Sequence, residues 1–453
     1  MITTETAAKA DLATAVVETL DVRIAGILDA CTACGDCVAV CPTPGISGID
    51  AADTEAVAAG VLDILRTSAG PAAAEGWAAA CCGSAHCLTV CTHGINPRFM
   101  LTMARRAMNR ANAEHARRET GKVAFKKMSR AVKVISRLQL TPDLMERLSP
   151  ASHPASETPP EVIFYTGCNL LRTPHIGLLC LDVLDFLGVG YEVYGGPSNC
   201  CGILKLRPGD DANAGRQAAR TMERFVDTGA QEVLSWCPTC QMQFSETLQP
   251  EPAKPAVDIR MFPVYLASRL GELKPLMTRP VNKTVALHEY PGSPGVVDAV
   301  VEILSAIPGL TVVDLKLPGV GYQMSSLAVL PDFQKKHIAD TLAAAEAAGV
   351  TTLAGIYHAD HRELASHEAQ WPFEVVNYMD LIGESLGLDR PDLFKRLKLM
   401  GDADAILAEA APLIAAHGLD AEEARDVVLR DVLGEQILPV DRALHPGAAA
   451  KPA

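Results

Sequence analysis

Several features are scarce or missing in this sequence of 453 residues. Aromatic residues make up only 5% of the chain, so the core must be built mostly from alanine, leucine and valine. No apolar run reaches the roughly 18 residues that a membrane span needs, and no basic-then-apolar leader stands at the N-terminus. We therefore expect a cytoplasmic protein that reaches a membrane only through a partner.

The sequence also has no glycine-rich fingerprint of a dinucleotide-binding turn, so we expect no flavin or nicotinamide cofactor of its own. The net charge of −14 argues against binding to nucleic acid. Within this acidic chain, residues 98–137 hold 12 lysines or arginines and only two acidic residues. This basic segment is either a solvated helical connector or a surface that docks an acidic partner or an anionic membrane.

Cysteine is absent after position 240, although the chain contains 14 cysteines. Without an export signal, a disulfide framework is not expected. The stretch CTACGDCVAVCP instead places Cys31, Cys34, Cys37 and Cys41 before Pro42. This is the spacing of bacterial ferredoxins, where three thiolates hold one iron–sulfur cluster and the fourth reaches a second cluster. A structural zinc site is a weaker alternative, because it needs only four ligands and no following proline.

A second motif, CCGSAHCLTVCT, repeats this spacing with one ligand position changed. Serine occupies position 84, where cysteine is expected, and an additional cysteine, Cys82, lies beside Cys81. The crossed ferredoxin pattern predicts two ligand sets, namely Cys31, Cys34, Cys37 and Cys91 for one cluster and Cys41, Cys81 and Cys87 for the other.

The fourth corner of the second cluster has three possible solutions. The corner could stay empty and leave a 3Fe–4S cluster. Ser84 could complete a 4Fe–4S cluster through its oxygen, a harder ligand than sulfur, or Cys82 could do so at the cost of local backbone distortion. If Cys82 does not bind iron, it is a spare buried thiol.

The pattern of helices, strands and prolines divides the chain into six segments. We expect a helical, ferredoxin-like two-cluster domain, with helices over Ala13–Ala30 and Thr54–Ser68, then a basic helical connector and a linker with four prolines, SPASHPASETPP. Two α/β lobes and a helical tail with a disordered end after Leu444 follow. The predicted segments are 1–97, 98–148, 149–160, 161–270, 281–387 and 388–453.

Each predicted lobe alternates strands and helices. EVIFYTG, YEVYGG and EVLSW are predicted strands separated by helices, an order typical of a parallel sheet. The same order recurs about 120 residues later, where TVALHEYPG matches EVIFYTGCN. The fold class is therefore a helical N-terminal domain followed by two α/β lobes with parallel sheets and a helical tail.

Five cysteines are expected to meet in the first lobe, at the carboxyl ends of its strands. They lie in YTGCN, NCCG and WCPTC and are Cys168, Cys200, Cys201, Cys237 and Cys240. Adjacent cysteines suit a cluster of several irons better than a single zinc ion, and a vicinal disulfide would require a strained peptide. Cys180 lies on the apolar face of a helix and is interpreted as a core residue.

These motifs resemble those of the heterodisulfide reductase family. TGCN, NCCG and WCPTC resemble the CCG domain of its B subunit, and the two-cluster unit with its helices resembles its C subunit. The chain is similar, over roughly residues 25–385, to a C–B fusion such as the D subunit. Iron–sulfur subunits of glycolate, lactate and anaerobic glycerol-3-phosphate oxidation systems have related architectures. The resemblance implies a noncubane 4Fe–4S cluster on the five lobe cysteines, with Cys200 and Cys201 in the reactive positions.

The second lobe departs from the family, which usually carries two CCG lobes with cysteines. In the repeat alignment the five ligands correspond to Pro291, Gly321, Tyr322, Tyr357 and Asp360. This puts in doubt a reaction in which a disulfide is split between paired clusters. Polar residues near the strand ends could bind a metal or an anionic substrate, namely His288, Tyr357, His358, Asp360 and His361. The alternative is a retained scaffold with ordinary polar loop residues.

Three functions are compatible with these features. The first is an electron-transfer subunit of a cytoplasmic oxidoreductase complex, with a flavoprotein partner and a membrane cytochrome b or quinone-linked partner at residues 98–137. The second is a thiol–disulfide reductase acting at the single noncubane cluster, and the third is a non-enzymatic scaffold subunit.

Overall fold

The computed structural model describes residues 17–153, 158–248 and 257–447. Up to residue 153, every regular element of the described chain is helical. These helices are α1 (17–30), α2 (Asp36–Ala39), α3 (Thr43–Ser47), α4 (Thr54–Thr67), α5 (Ala72–Ala80), α6 (Pro97–Asn109), α7 (Glu114–Arg137) and α8 (Pro142–Leu148). None of the helices in the described residues is long and apolar enough to span a membrane.

Helix α4 forms where it is predicted because both of its ends are capped. The side chain of Asp53 accepts a hydrogen bond from the backbone N–H of Ala56, and Ser68 closes the helix in the left-handed region at φ 68°. Its apolar face packs with α5 and α6 around the fully buried Trp77. The predicted helix over Ala13–Ala30 is observed from residue 17, and its first four residues lie outside the described part.

The basic segment is neutralised largely within the chain. Arg106 pairs with Asp21 and Asp211, and Arg130 on α7 pairs with Glu423 of the tail. Because these ions join the N-terminal helices to lobe 1 and to the tail, part of the positive charge serves internal packing.

Lobe 1 is built around a four-stranded parallel sheet in the order β2-β1-β3-β4. Its fourth strand lies beyond the three predicted ones, in a stretch too short and polar to show alternation. The strands are β1 (Val162–Tyr165), β2 (Tyr191–Tyr194), β3 (Glu232–Ser235) and β4 (Asp258–Met261). The helices are α9 (Pro174–Phe186), α10 (Ile203–Leu206), α11 (Asp211–Asp227), α12 (Pro238–Met242), α13 (Phe262–Ser268) and α14 (Leu270–Leu273).

Lobe 2 repeats this architecture, with the sheet order β6-β5-β7-β8 and all pairs parallel. The predicted fold class and internal repeat are therefore confirmed. The strands are β5 (Thr284–His288), β6 (Thr311–Val313), β7 (Thr352–Gly355) and β8 (Glu374–Asn377). The helices are α15 (Val296–Ser305), α16 (Pro331–Ala347), α17 (His358–Leu364) and α18 (Tyr378–Leu386).

The two lobes pack against each other in a reciprocal way. Helix α13 of lobe 1 contacts α15 of lobe 2, and α18 of lobe 2 contacts α9 of lobe 1. The rings of Trp236 and Tyr378 stack across the junction with centroids 5.8 Å apart. At Gly383, a Cβ would lie 2.7 Å from a methyl carbon of Leu179, so the helices approach too closely for a larger side chain. One continuous hydrophobic core spans both lobes.

The tail is helical, as predicted, and packs on α7. Its helices are α19 (Leu393–Met400), α20 (Ala403–Glu409), α21 (Ala411–His417) and α22 (Ala421–Val427). The segment GDADAILAEAAPLIAAHG forms two helices, because Pro412 lacks the N–H that would continue α20. Disorder after Leu444 is wrong for His445, which is buried and bonded to the Pro439 carbonyl. Residues 448–453, and 154–157 of the predicted linker, lie outside the described residues.

Candidate iron–sulfur sites

The five cysteines of lobe 1 converge at the carboxyl ends of β1 and β3. Their thiols are hydrogen-bonded in series, in the order Cys168, Cys200, Cys201, Cys240, Cys237. All five are free thiols, and each is at most 8% exposed. The loops thus form a closed site lined by sulfur.

Two glycines let the chain turn tightly around these sulfurs. Gly167, at φ +65°, carries the chain from β1 into Cys168, and a Cβ there would lie 3.3 Å from the Sγ of Cys240. Gly202 follows the cysteine pair at φ +82°, where a Cβ would lie 2.5 Å from the carbonyl oxygen of Ala214. Only glycine fits both the left-handed backbone and the close approach at these positions.

Hydrogen bonding favours the thiolate form at two of the five positions. Hydrogen bonds from Cys168 and Cys201 hold the pKa of Cys200 well below its usual range, and the N–H of Gly202 acts in the same direction. A hydrogen bond from Cys240 lowers the pKa of Cys237 to about 7. Because thiolates are the species that bind metals, the donor set fits a multi-iron cluster.

The N-terminal cysteines form two groups. Burial raises the pKa of Cys37 to about 12, and the charges of Cys31, Cys34 and Cys91 act in the same direction because these thiols surround it. The same four cysteines line one small pocket beside α2. In the second group, burial raises the pKa of Cys87 to about 12, and the nearest charged neighbours are Cys81 and Cys41. The chain therefore brings together the residues of each crossed ligand set, and their roles as ligands stay a prediction.

The altered ligand position of the second motif is in contact with lobe 2. The Oγ of Ser84 accepts a hydrogen bond of 2.8 Å from the N–H of Gly321. The Sγ of Cys82 lies 3.4 Å from that oxygen and is 2% exposed. Ser84 is thus held by the second lobe, and Cys82 is the sulfur nearest to it.

Variants at these two positions should distinguish the three solutions for the fourth corner. If Ser84 leaves the corner open, the oxidised protein should show the sharp electron paramagnetic resonance of a 3Fe cluster, and Ser84→Cys should remove it. If Cys82 fills the corner, Cys82→Ala should create that signal. Thr43→Val, which removes only the hydroxyl 3.9 Å from Cys82, is the control and should leave the spectrum unchanged. An identical spectrum for all variants would contradict the ligand assignment.

Lobe 2 fills its equivalent site with its own polar groups. Strand register equates Asp360 with Cys240, and its carboxylate accepts hydrogen bonds from the N–H groups of Met324 and Tyr357, at 3.0 and 3.1 Å. In lobe 1, the N–H of Ile203, the counterpart of Met324, points to Cys201 instead. The carboxylate therefore takes the place of sulfur.

The expectation of ordinary polar loop residues in lobe 2 is wrong. His358, Asp360 and His361 lie on α17 and are at most 3% exposed, because the turn that follows β7 is buried under the tail. His288 is bonded through both ring nitrogens, to Tyr290 at 2.6 Å and Thr341 at 3.2 Å. Burial holds its pKa well below the usual range, so this imidazole is neutral and already partnered.

Two residues for which the sequence carries no local signal join the three cysteine groups. The ring of Tyr322 packs on Gly83 of the second motif, and its hydroxyl lies 3.4 Å from the Oγ1 of Thr239, between Cys237 and Cys240. The buried guanidinium of Arg98 donates to the carbonyls of Gly83 and Gly292 at 3.0 and 2.6 Å, and it pairs with Glu246 of lobe 1.

A cavity of about 370 Å³ opens beside this junction. Its lining includes Cys81, Cys82, Arg98, Thr239 and Tyr322. None of the five lobe 1 cysteines lines it within the described residues, so a molecule in this cavity would contact the second motif and not the lobe 1 sulfurs.

Comparison with known proteins agrees with this geometry. A family model described as "Cysteine-rich domain" (CCG) matches residues 162–245, which contain all five lobe 1 cysteines. The fold and the site thus define a protein that contains a CCG domain.

The chain is also similar to the D subunit of dihydromethanophenazine:CoB--CoM heterodisulfide reductase from two Methanosarcina species. Identity to the protein from Methanosarcina mazei is 26% over 322 residues, which cover 64% of this chain and 75% of the relative. Identity to the protein from Methanosarcina barkeri is 24% over 320 residues, with the same shares. This is a heterodisulfide reductase D-like protein, and the similarity supports an iron–sulfur subunit of oxidoreductase type.

Proposed function

We propose that this chain is the electron-transfer subunit of a heterodisulfide-reductase-like complex and connects a flavoprotein partner to a noncubane cluster in lobe 1. The ligands of that cluster would be the five lobe 1 cysteines, with Cys200 and Cys201 in the reactive positions. The two N-terminal cysteine groups would hold one 4Fe–4S cluster and one 4Fe–4S or 3Fe–4S cluster. Such clusters, when bound, accept and release single electrons.

The observation that carries this proposal is the unbroken contact between the cysteine groups. Tyr322 packs on Gly83, two residues from Cys81, and reaches Thr239 inside the CPTC loop of lobe 1. Arg98 holds the same three segments together from the other side. The chain thereby excludes bulk water between the second motif and the lobe 1 site and keeps them in one rigid arrangement.

The burial of the lobe 1 cysteines supports electron transfer over direct disulfide cleavage at the surface. Cys200 and Cys201 are 2% and 1% exposed, so a disulfide could reach them only after the loops move. The scaffold alternative requires an available docking surface. On α7, Lys126 and Lys127 are the best candidates for contact with a membrane cytochrome b or quinone-linked partner, because neither is fully buried.

The proposal is tested by purifying the tagged full-length chain anaerobically from its native host. We expect a flavin-containing protein to purify with it, and we expect reduction of that flavin to be followed by reduction of the clusters in freeze-quenched samples. A complex without flavin would contradict the proposed partner. Rapid disulfide turnover by the isolated chain with a chemical reductant would favour the catalytic alternative.

Variants of Tyr322 should separate the ring from its hydroxyl. Tyr322→Ala removes the ring between Gly83 and Thr239, so we expect slower electron transfer between the second motif and lobe 1 and a stability loss of about 3 kcal/mol. Tyr322→Phe keeps the ring and should preserve the rate, with a stability loss of about 1 kcal/mol. Freeze-quench kinetics after flash reduction measure the rate. An unchanged rate in Tyr322→Ala would exclude this contact as the connection.

A further inference from the structure

A second group of potential ligands lies away from all the cysteines, where the two lobes meet the tail. His175 comes from the first turn of α9 in lobe 1, His361 from α17 in lobe 2, and Asp392 from the residue that caps α19. One nitrogen or oxygen atom from each side chain lies within 4.8 Å of the other two. The histidines are at most 3% exposed, and the aspartate side chain is 13% exposed.

The hydrogen bonding of this group is incomplete. Neither ring nitrogen of His175 has a hydrogen-bond partner, although the residue is buried, and the Nδ1 of His361 also has none. The nearest polar atoms to His175 are carboxylate oxygens of Asp392 and Asp380, at 3.5 and 3.8 Å. A buried imidazole with two unpartnered nitrogens is costly, and these nitrogens face carboxylates at distances longer than a hydrogen bond.

The spacing suits a metal ion between these groups. A tetrahedral ion with bonds of about 2.0–2.1 Å to nitrogen and oxygen holds its ligand atoms roughly 3.3 Å apart, so a small contraction of the group would suffice. The one direct contact, 2.6 Å between the Nε2 of His361 and Asp392, would be replaced by bonds from both residues to the ion.

We propose that His175, His361 and Asp392 bind a divalent transition-metal ion such as zinc, with Asp380 as the fourth ligand. Imidazole and carboxylate form a donor set that zinc accepts. The site is nearly closed to solvent and its ligands include no cysteine, so its role is structural. The ion joins lobe 1, lobe 2 and the tail at one point, and it thereby fixes the reciprocal packing of the lobes.

The test uses the full-length chain, purified anaerobically with its clusters, and zinc ion as the probe. Zinc bound to this site should show only nitrogen and oxygen neighbours at about 2.0–2.2 Å in X-ray absorption spectra, whereas zinc at vacant cysteines would show sulfur at about 2.3 Å. We expect one zinc equivalent of the first kind and a higher thermal midpoint after zinc addition.

Variants identify the ligands. His175→Gln and Asp392→Asn should each weaken zinc binding at least tenfold, measured by competition with a fluorescent chelator, while iron and sulfide contents stay unchanged. His337→Gln is the control, because His337 is also buried with an unpartnered nitrogen but lies outside the group. Iron content reports whether each variant has folded.

The outcomes are decisive in both directions. Zinc with nitrogen and oxygen neighbours that is lost in both variants and retained in the control supports the site. Zinc bound only through sulfur, no zinc in the wild-type chain, or equal affinity in wild type and variants would overturn it and leave a buried His361–Asp392 ion pair.

Discussion

Cys200→Ala is expected to lose about four iron atoms per chain and to leave the N-terminal clusters loaded. The wild-type chain should contain about 11–12 iron atoms after anaerobic purification, from three cysteine groups. Cys200 is the central thiol of the lobe 1 series, with hydrogen bonds to both Cys168 and Cys201. Among the described residues, no spare cysteine lies in the NCCGILKL loop to replace it. The N-terminal ligands belong to separate helices and should keep their iron.

The functional consequence should be equally clear. Turnover with the physiological partner should fall to background, whereas dye reduction through the N-terminal clusters should persist. His288→Ala and His358→Ala should cost much less activity, because lobe 2 satisfies its own polar groups at the equivalent position. If the histidine variants abolished turnover and Cys200→Ala kept it, the roles of the lobes would be reversed.

Cys180→Ala is the matched control for this experiment. Cys180 is also a buried cysteine of lobe 1, but it lies in the apolar core on α9. Its replacement should cost about 1 kcal/mol of stability and no iron. Equal iron loss in both variants would show that the effect is unfolding. Zinc at the cysteines without acid-labile sulfide would contradict the iron–sulfur assignment altogether.

Arg98→Met is expected to destabilise the junction between the N-terminal helices and the lobes by about 3 kcal/mol. The variant leaves the carboxylate of Glu246 without its main partner and the carbonyls of Gly83 and Gly292 without a donor. Anaerobic thermal unfolding, followed by cluster absorbance and circular dichroism, measures the effect. The N-terminal absorbance should be lost at a lower temperature than in the wild type.

Two further variants test the cause of this loss. Glu246→Gln combined with Arg98→Met should cost less than the sum of the single variants, because the two side chains interact directly. Arg66→Met breaks an exposed pair with Asp63 and should change stability by less than about 0.5 kcal/mol. Additive effects of Arg98 and Glu246 would show that their ion pair does not hold the junction.

The architecture could be predicted from local patterns. The order of strands and helices, the glycine stops and the similarity of the two halves all lie within short windows, and the observed sheets follow that order. The fourth strands β4 and β8 were harder to predict. Each is four residues long and gains its identity from pairing with β3 or β7, which is a tertiary contact.

The lobe 1 cysteines could also be predicted as one site, because parallel strands bring the residues after their carboxyl ends to one edge. Register extends this to lobe 2, where Asp360 stands at the position of Cys240. That its carboxylate bonds to backbone N–H groups in the place of sulfur depends on loop packing, which the sequence does not specify.

The sequence by itself determined the cysteine spacings, the repeated α/β order and the loss of cysteine from lobe 2, because each is a pattern among near neighbours in the chain. Only the tertiary structure decided which distant residues meet. Ser84 bonds to Gly321 across 237 positions, and His175 meets His361 and Asp392 from three separate elements. Such contacts arise from the packing of whole lobes and helices, and no local periodicity encodes them.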